Sequence, residues 1–395
     1  RMSFVKSLYG SLMSALKAKD GKDFEAKLSS VAGKKLAIGK DFDANTGKLN
    51  SERSEKVFVL DDKIASDIID KIKGKELEII SVEETPTTRK PAAPFITSTL
   101  QQEANRKLGL GARESMRIAQ SLYEKGFITY IRTDSTVISK VAIEGIRDTI
   151  TNLVGKNYIG NPKQRKSKKK VADQEAHEAI RPTDMNKDYS NLNKEEQKLY
   201  LIIWRRTMAS QMVNEEFENA TLKLVPDKKN LGYFTVSTKW QTKPGWTITK
   251  HMFPNQEYNV IDNEIVKPEW LNLDSGTKIK RKKLVTNEEH SNPPAYYNEA
   301  SIVRDLEKKG IGRPSTYVNS YQVNIYKEMI KKTNMKYKGQ DYLTYTVKAN
   351  ENDFTIKKNP SKEKTYRNVL VPTDKGIEID ARPTTKISTK IYKCN

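Results

Sequence analysis

The apolar residues of this chain change their period twice. Over residues 1–85 they fall in short strand-type runs, Glu25-Ala-Lys-Leu28 and Lys56-Val-Phe-Val-Leu60, separated by turn signals such as Asn45-Thr-Gly47. From 95 to 212 the spacing becomes helical. From 218 to 285 strand character returns, in Ala220–Val225, Gly232–Ser237 and Thr247-Ile-Thr249. Such a pattern predicts a mixed α+β, multidomain fold, with a β part built from two separated segments and a helical block inserted between them.

Within that outline, Ile64, Ile68, Ile69 and Ile72 predict a helix over 61–73, and Glu76–Glu84 reads as a strand. Thr85–Pro94, with three prolines, is expected to break regular structure and act as a semi-rigid extended linker. Thr97 or Ser98 can cap a helix carrying Leu100, Ala104 and Leu108, which ends at Gly109 or Gly111. A second helix over about 112–125 turns Met116, Ala119, Leu122 and Tyr123 inward and stops at Gly126. A short strand then follows. Helix, glycine turn, helix, strand is the outline of a helix-turn-helix or winged-helix unit. Further helices are expected at 136–154 and 193–212, with a basic loop at 161–172 between them. After Pro294 the outline repeats: a helix at 298–308, a turn at Gly310-Ile-Gly312, and a second helix capped by Ser315 or Thr316. The resulting division is a β-rich part in two segments, 1–93 and 213–288, a helical domain at 94–212, and a partial helix-turn-helix domain at 289–395.

Charge narrows the partner. Lys+Arg number 71 against Asp+Glu 50, a net +21, with local clusters at Lys163–Lys170 and Lys278–Lys283. That balance points to a polyanion, nucleic acid first and an anionic membrane surface second. Cys394 is the single cysteine, which excludes an intramolecular disulfide and a cysteine-built zinc ribbon. No run of about 18 apolar residues occurs, so no transmembrane helix is expected. The opening Arg1-Met2-Ser3-Phe4 reads as the interior of a longer polypeptide.

Two motifs carry chemistry. Phe127-Ile-Thr-Tyr-Ile-Arg-Thr-Asp-Ser135 reads as a short β-type run, in which alternation puts Tyr130 and Arg132 on one face, about 7 Å apart along the strand axis. A phenol beside a guanidinium is a plausible nucleophile for a phosphodiester, since the cation favours phenolate and can hold the phosphate. Gln174-Glu-Ala-His177-Glu178-Ala-Ile-Arg181-Pro-Thr183 supplies another imidazole, carboxylate and guanidinium. A lone tyrosine is more often a core or surface aromatic, and a lone histidine more often structural. In this order, however, the two motifs resemble the tyrosine and His-Glu-x-x-Arg motifs of type IA DNA topoisomerases. Pro94–Gln102 and Gly310-Ile-Gly-Arg-Pro-Ser-Thr-Tyr317 are similar to that family's runs before the first helix-turn-helix and at its glycine-containing DNA contact. The likeness covers residues 1–320 well and weakens beyond Lys327, with a faint echo at Leu370–Gly376.

The resemblance implies a core of such an enzyme, in which Tyr130 cleaves single-stranded DNA through a 5′-phosphotyrosine and Arg132 stabilises the phosphate. Strand passage and resealing would relax negative supercoils without ATP. His177, Arg181, Arg313, Ser315, Thr316 and Lys327 would contact DNA, with Lys327 standing where the family usually has arginine. Glu178 would orient His177 or cap a helix. Magnesium would be required, its main ligands lying on a Toprim domain carried by a preceding segment or a separate chain. Asp41 and Asp43 have a metal-ligand spacing but are expected to be surface residues. The implied partner is a single-stranded region of negatively supercoiled DNA, with no membrane, and the implied place is the cytoplasmic nucleoid. The rival reading is a non-catalytic single-stranded nucleic-acid-binding remnant.

Overall fold

The computed structural model describes residues 3–17, 23–161, 178–226, 231–260, 267–313, 316–339, 341–348 and 355–380. The chain begins with β1 (Leu8–Lys17), β2 (Asp23–Val31), β3 (Lys34–Leu36), β4 (Val57–Phe58), α1 (Asp62–Ile72) and β5 (Leu77–Arg89). Four helices follow: α2 (Thr97–Leu108), α3 (Ala112–Glu124), α4 (Lys140–Val154) and α5 (Lys194–Ser210). Strands β6 (Glu215–Pro226), β7 (Tyr233–Lys243), β8 (Lys278–Ile279) and β9 (Arg281–His290) come next. The last elements are α6 (Glu299–Lys308), α7 (Tyr317–Tyr326), β10 (Ile330–Lys338), β11 (Tyr342–Lys348), β12 (Thr355–Asn359), β13 (Glu363–Pro372) and α8 (Asp374–Asp380).

One sheet of 11 strands dominates, its main path running β12-β11-β9-β1-β2-β7-β6-β5-β8, while β10 and β13 form a separate ribbon. Its pairings are antiparallel apart from the short β3–β4 contact. The architecture is thus mixed α and β around a large antiparallel sheet. Helix α1 covers that sheet: the Asp61 carboxylate accepts the Ile64 amide at its N-terminus, and Ala65, Ile68, Ile69 and Ile72 are buried. They join Leu12, Leu16, Leu28, Leu77, Leu222, Leu224 and Phe234 in one cluster. Each fully buried aliphatic side chain there contributes about 1.5–3 kcal/mol.

Helices α2–α5 lie between β5 and β6, which are neighbours in the sheet. Their own core is built around Phe95, Leu100, Ile118, Leu122, Tyr200, Ile203 and Trp204. Two crossings, 90–96 and 211–214, connect this block to the sheet.

Several expectations are corrected. Residues 85–89 do not form a linker; they extend β5, pairing Pro86 with Glu218 and Arg89 with Glu215. Proline is accommodated because β8 pairs only with Leu77 and Glu78, leaving the other edge of β5 open where the missing N–H faces no strand. Thr247-Ile-Thr249 belongs to a 3-10 helix over Gly245–His251. Gly245 (φ +49°) passes so close to Asn214 that a Cβ would stand 2.1 Å from its carbonyl oxygen, and the chain turns there. Helix α4 starts at 140 rather than 136, with Ser139 as its cap. Neither Thr97 nor Ser98 caps α2; Ile96 holds that position and its N–H donates to Thr99 Oγ1 (3.0 Å). Tyr123 faces outward, 39% exposed. Among the described residues no helix is long and apolar enough to cross a membrane.

Candidate active site

Residues 127–135 were expected as a strand, and they form none. Pairing with the segment after Glu178 is limited to single bridges, Ile128 with Pro182 and, from the stretch just before α2, Phe95 with Ile180. Pro182 has no N–H to continue a ladder. Hydrogen bonds fix the segment instead. The Thr129 amide donates to the Arg181 carbonyl (2.9 Å), the Thr183 amide to the Phe127 carbonyl (3.0 Å), and Thr129 Oγ1 to the Ala179 carbonyl (2.7 Å). On the other side sits Thr97, buried at the start of α2. Its hydroxyl donates to the Ile131 carbonyl (2.7 Å) and accepts the Thr133 amide (3.0 Å), while its own amide donates to the Thr133 carbonyl (3.0 Å).

This clamp preserves the alternation without a strand. Ile131 and Thr133 are buried, whereas Tyr130, Arg132 and Asp134 are exposed. Tyr130 is 42% exposed, and its ring meets that of Tyr123 edge-on at 5.4 Å. Among the described residues no hydrogen bond or ion pair engages the Arg132 guanidinium. The site therefore presents a phenol and a cation outward from a backbone that has little freedom to move.

Arg181 is placed differently from Arg132. Its side chain is largely buried, donating through Nε to Glu178 (2.9 Å) and through Nη1 to the Pro182 carbonyl (2.8 Å). Glu178 in turn accepts the Ser139 amide (2.7 Å), tying the entry of α4 to this turn. Burial alone would raise the Glu178 carboxyl, but Ser139 and Arg181 outweigh it and hold it below the ordinary range. Of the two roles anticipated for Glu178, holding a helix start is seen, and the other turns on His177. His177 and Ser315 lie outside the described residues.

Helix α6, with α7 after it, abuts α2. The Gly310 and Gly312 backbones are left-handed (φ +69° and +78°), which glycine alone adopts freely, and they turn the chain between α6 and α7. Arg313 is exposed beyond that turn. Thr316 stands at the N-cap position of α7, but its hydroxyl accepts the Arg313 amide (2.8 Å) rather than an amide inside the helix, so it closes the turn. Lys327 is exposed at the C-terminal end of α7. Helix α6 packs on α2, and Ser98 Oγ donates to Glu307 (2.8 Å). Burial pushes the Tyr317 phenol above its ordinary value, Glu307 and Asp134 push it further, and Arg313 acts against them. Asp134 and Arg313 thus both act on the charge of Tyr317.

Glu299, which sequence reasoning passed over, joins the two units. Its carboxylate accepts the Ala112 amide at the start of α3 (2.8 Å), Tyr321 Oη–H (2.9 Å) and Lys332 Nζ (2.7 Å). Burial would raise this carboxyl; Lys332, Ala112 and Tyr321 more than offset that and keep it low. Thr97 and Tyr123 were likewise missed as parts of the site.

Among the described residues no group of three or more His, Cys, Asp or Glu side chains could hold a metal ion. Asp41 is not at the surface as expected: it is buried, accepting the Ile38 amide (3.0 Å) with Arg53 Nε 3.5 Å away. Asp43 accepts the Asn45 and Thr46 amides of a turn. Among the described residues, then, neither Asp41 nor Asp43 belongs to a group that fits magnesium.

A family model described as DNA topoisomerase matches residues 3–342. DNA topoisomerase 1 of Synechococcus elongatus is 43% identical over 324 residues, covering 81% of this chain and 36% of that protein. The DNA topoisomerase 1 of Mycolicibacterium smegmatis is 39% identical over 302 residues, 74% of this chain and 32% of that protein. The solved structure of full-length topoisomerase I from Thermotoga maritima superposes with a TM-score of 0.59 at 29% identity, over 84% of this chain and 49% of that one. The chain thus spans about a third of the length of these curated relatives.

Proposed function

The chain belongs to the type IA DNA topoisomerase family, and from that premise we propose that it is the strand-cleaving and gate portion of such an enzyme. In this reading the Tyr130 phenolic oxygen attacks a phosphodiester in single-stranded DNA. An O–P bond to tyrosine forms, the P–O3′ bond breaks, and the departing oxygen takes a proton to become a 3′ hydroxyl. Because one ester replaces another, the reverse reaction reseals the strand without ATP. Arg132 stabilises the charge that builds on the phosphate as the bond breaks.

The remaining residues divide the work. Arg313 and Lys327 hold backbone phosphates, with His177, Ser315 and Thr316 in the same family positions. Arg181, paired with Glu178, acts chiefly by shaping the turn that carries Tyr130. Helices α2 and α3, with the 127–135 segment, form the winged-helix-like half of a gate; the sheet forms its arch; and α6–α7 form the facing half. Magnesium and the acids that hold it are assigned to a Toprim-bearing segment or chain. The substrate is a single-stranded region of negatively supercoiled DNA, which places the protein at the nucleoid.

The observation that carries this reading is the clamped segment that turns Tyr130 and Arg132 outward together. Tyr130→Phe tests it, since only the hydroxyl is removed. With magnesium and a Toprim domain supplied, the variant should form no covalent adduct on denaturing gels while keeping its single-strand affinity within about twofold. An adduct that survives in the Phe variant excludes Tyr130 as the nucleophile.

A further inference from the structure

The ribbon β10–β13 and the hairpin β11–β12 are one arm. Lys338 faces Glu363; four residues further along, Tyr342 faces Asn359, four residues back on the partner strand, so the register is kept across the break. At that break Gly339 lies against Ser361, and the Asp341 carboxylate accepts the Ser361 amide (3.1 Å) with Lys358 Nζ 3.6 Å away. From Met335 to Lys348 such an arm reaches roughly 40 Å.

Its two ends are anchored in different places. At the base, Leu370 packs with Val303, Tyr317 and Tyr321, the Leu370 amide donates to the Tyr297 carbonyl (2.7 Å), and Lys332 holds Glu299. At the tip, β11 adds to the large sheet alongside β9, from Thr344 opposite Asn287 to Lys348 opposite Lys283. Val347 is buried in the sheet's apolar cluster, the Leu343 amide donates to Glu288 (2.8 Å), and Thr344 Oγ1 bonds Asn287 (2.7 Å). The topoisomerase family match stops at residue 342, where this tip begins.

The border between α2–α3 and α6–α7 is built otherwise. Among the described residues, the buried cluster there takes only Ala112 from the tyrosine-bearing block; its other members belong to α6, α7 and β13. The named links across it are the two carboxylate contacts, Glu299 with the Ala112 amide and Glu307 with Ser98. Although α6 packs on α2, this border buries little apolar surface, whereas the tip carries a five-residue ladder that includes a core valine.

We propose that the β11–β12 tip is a strap that ties the second helix-turn-helix unit to the sheet, so that opening is confined to the α2–α3/α6–α7 seam. The strap turns two possible partings into one. It rests on the gate reading above, yet its test is independent of cleavage. Deuterium exchange on the full chain should be at least about tenfold slower in peptides covering 342–348 than in those covering 109–114. Val347→Asp should undock the tip, speeding exchange at 281–290 and, because the unit is then untied, at least fivefold at 109–114. A double variant, Thr346→Cys with Val285→Cys on a Cys394→Ser background, locks the tip across a facing pair and should leave exchange at 109–114 as it was. Exchange at 342–348 as fast as at 109–114 would overturn the proposal. So would a lock that slows the seam, or an undocked tip that leaves the seam unchanged. None of these results depends on whether Tyr130 forms an adduct.

Discussion

Thr97→Val keeps the shape of a buried side chain and removes its one oxygen. Thr97 is 1% exposed, and its hydroxyl serves the Ile131 carbonyl at 2.7 Å and the Thr133 amide at 3.0 Å. The Thr133 carbonyl keeps a partner, the Thr97 amide, so two backbone groups lose theirs. Each unsatisfied buried group costs about 1–3 kcal/mol, which gives about 2–6 kcal/mol for the pair. Opening of the Tyr130 segment should become easier by that amount, on the order of 30-fold or more, since about 1.4 kcal/mol is a factor of ten. Native-state deuterium exchange of residues 127–135 measures it directly, and Thr97→Ser, which keeps the hydroxyl, should stay close to the parent. Adduct yield should fall in parallel, because Tyr130 and Arg132 are aimed by this backbone. If Thr97→Val leaves exchange of 127–135 within threefold of the parent, the clamp does not hold the segment and the argument fails.

Arg132→Ala should lower adduct formation by about 10²–10³-fold while weakening single-strand binding less than tenfold, and Arg132→Lys should recover only part of the loss because bidentate geometry is gone; quantified adduct gels beside binding isotherms separate the two. Single-strand affinity should drop by about 10²–10³-fold between about 50 and 200 mM salt, as titrations of a labelled oligonucleotide would report, and a flat response would count against the basic surfaces as phosphate contacts. Because the folded-state pKa of Glu299 is held below its unfolded value, near 4.3, its contribution is present above that value and is lost as pH falls through the lower folded one. Melting curves between about pH 6 and 3 should therefore show acid destabilisation that Glu299→Gln flattens.

The parts legible in the sequence were those written in periodicity and punctuation. Helix α1 follows from four isoleucines, and α2 and α3 from apolar spacing closed at Gly109 and Gly126. What failed did so for tertiary reasons. Pro86 reads as a breaker until an open sheet edge absorbs its missing donor. Residues 127–135 carry a strand's alternation, but their amides are taken by Thr97 and by a turn ending at Pro182, so no ladder develops. Thr247-Ile-Thr249 has the composition of a strand and is bent by the approach of Gly245 to Asn214. The outward placement of Tyr130 and Arg132 was legible from the alternation of their motif. Glu299 was not, because nothing local marks it: its three partners lie 187, 22 and 33 residues away. Thr97 could have been found in the Pro94–Gln102 run, where it was read only as a possible cap.

The polarity of the covalent product tests the central claim most directly. An oligonucleotide labelled at its 5′ end in one sample and at its 3′ end in another is incubated with the chain, a Toprim domain and magnesium, then run on a denaturing gel. Attack by Tyr130 that keeps the 5′ phosphate and frees a 3′ hydroxyl leaves the 3′ label on the protein band and releases the 5′ label as a shorter strand. A protein band carrying the 5′ label, or no covalent band in either sample, would contradict the account.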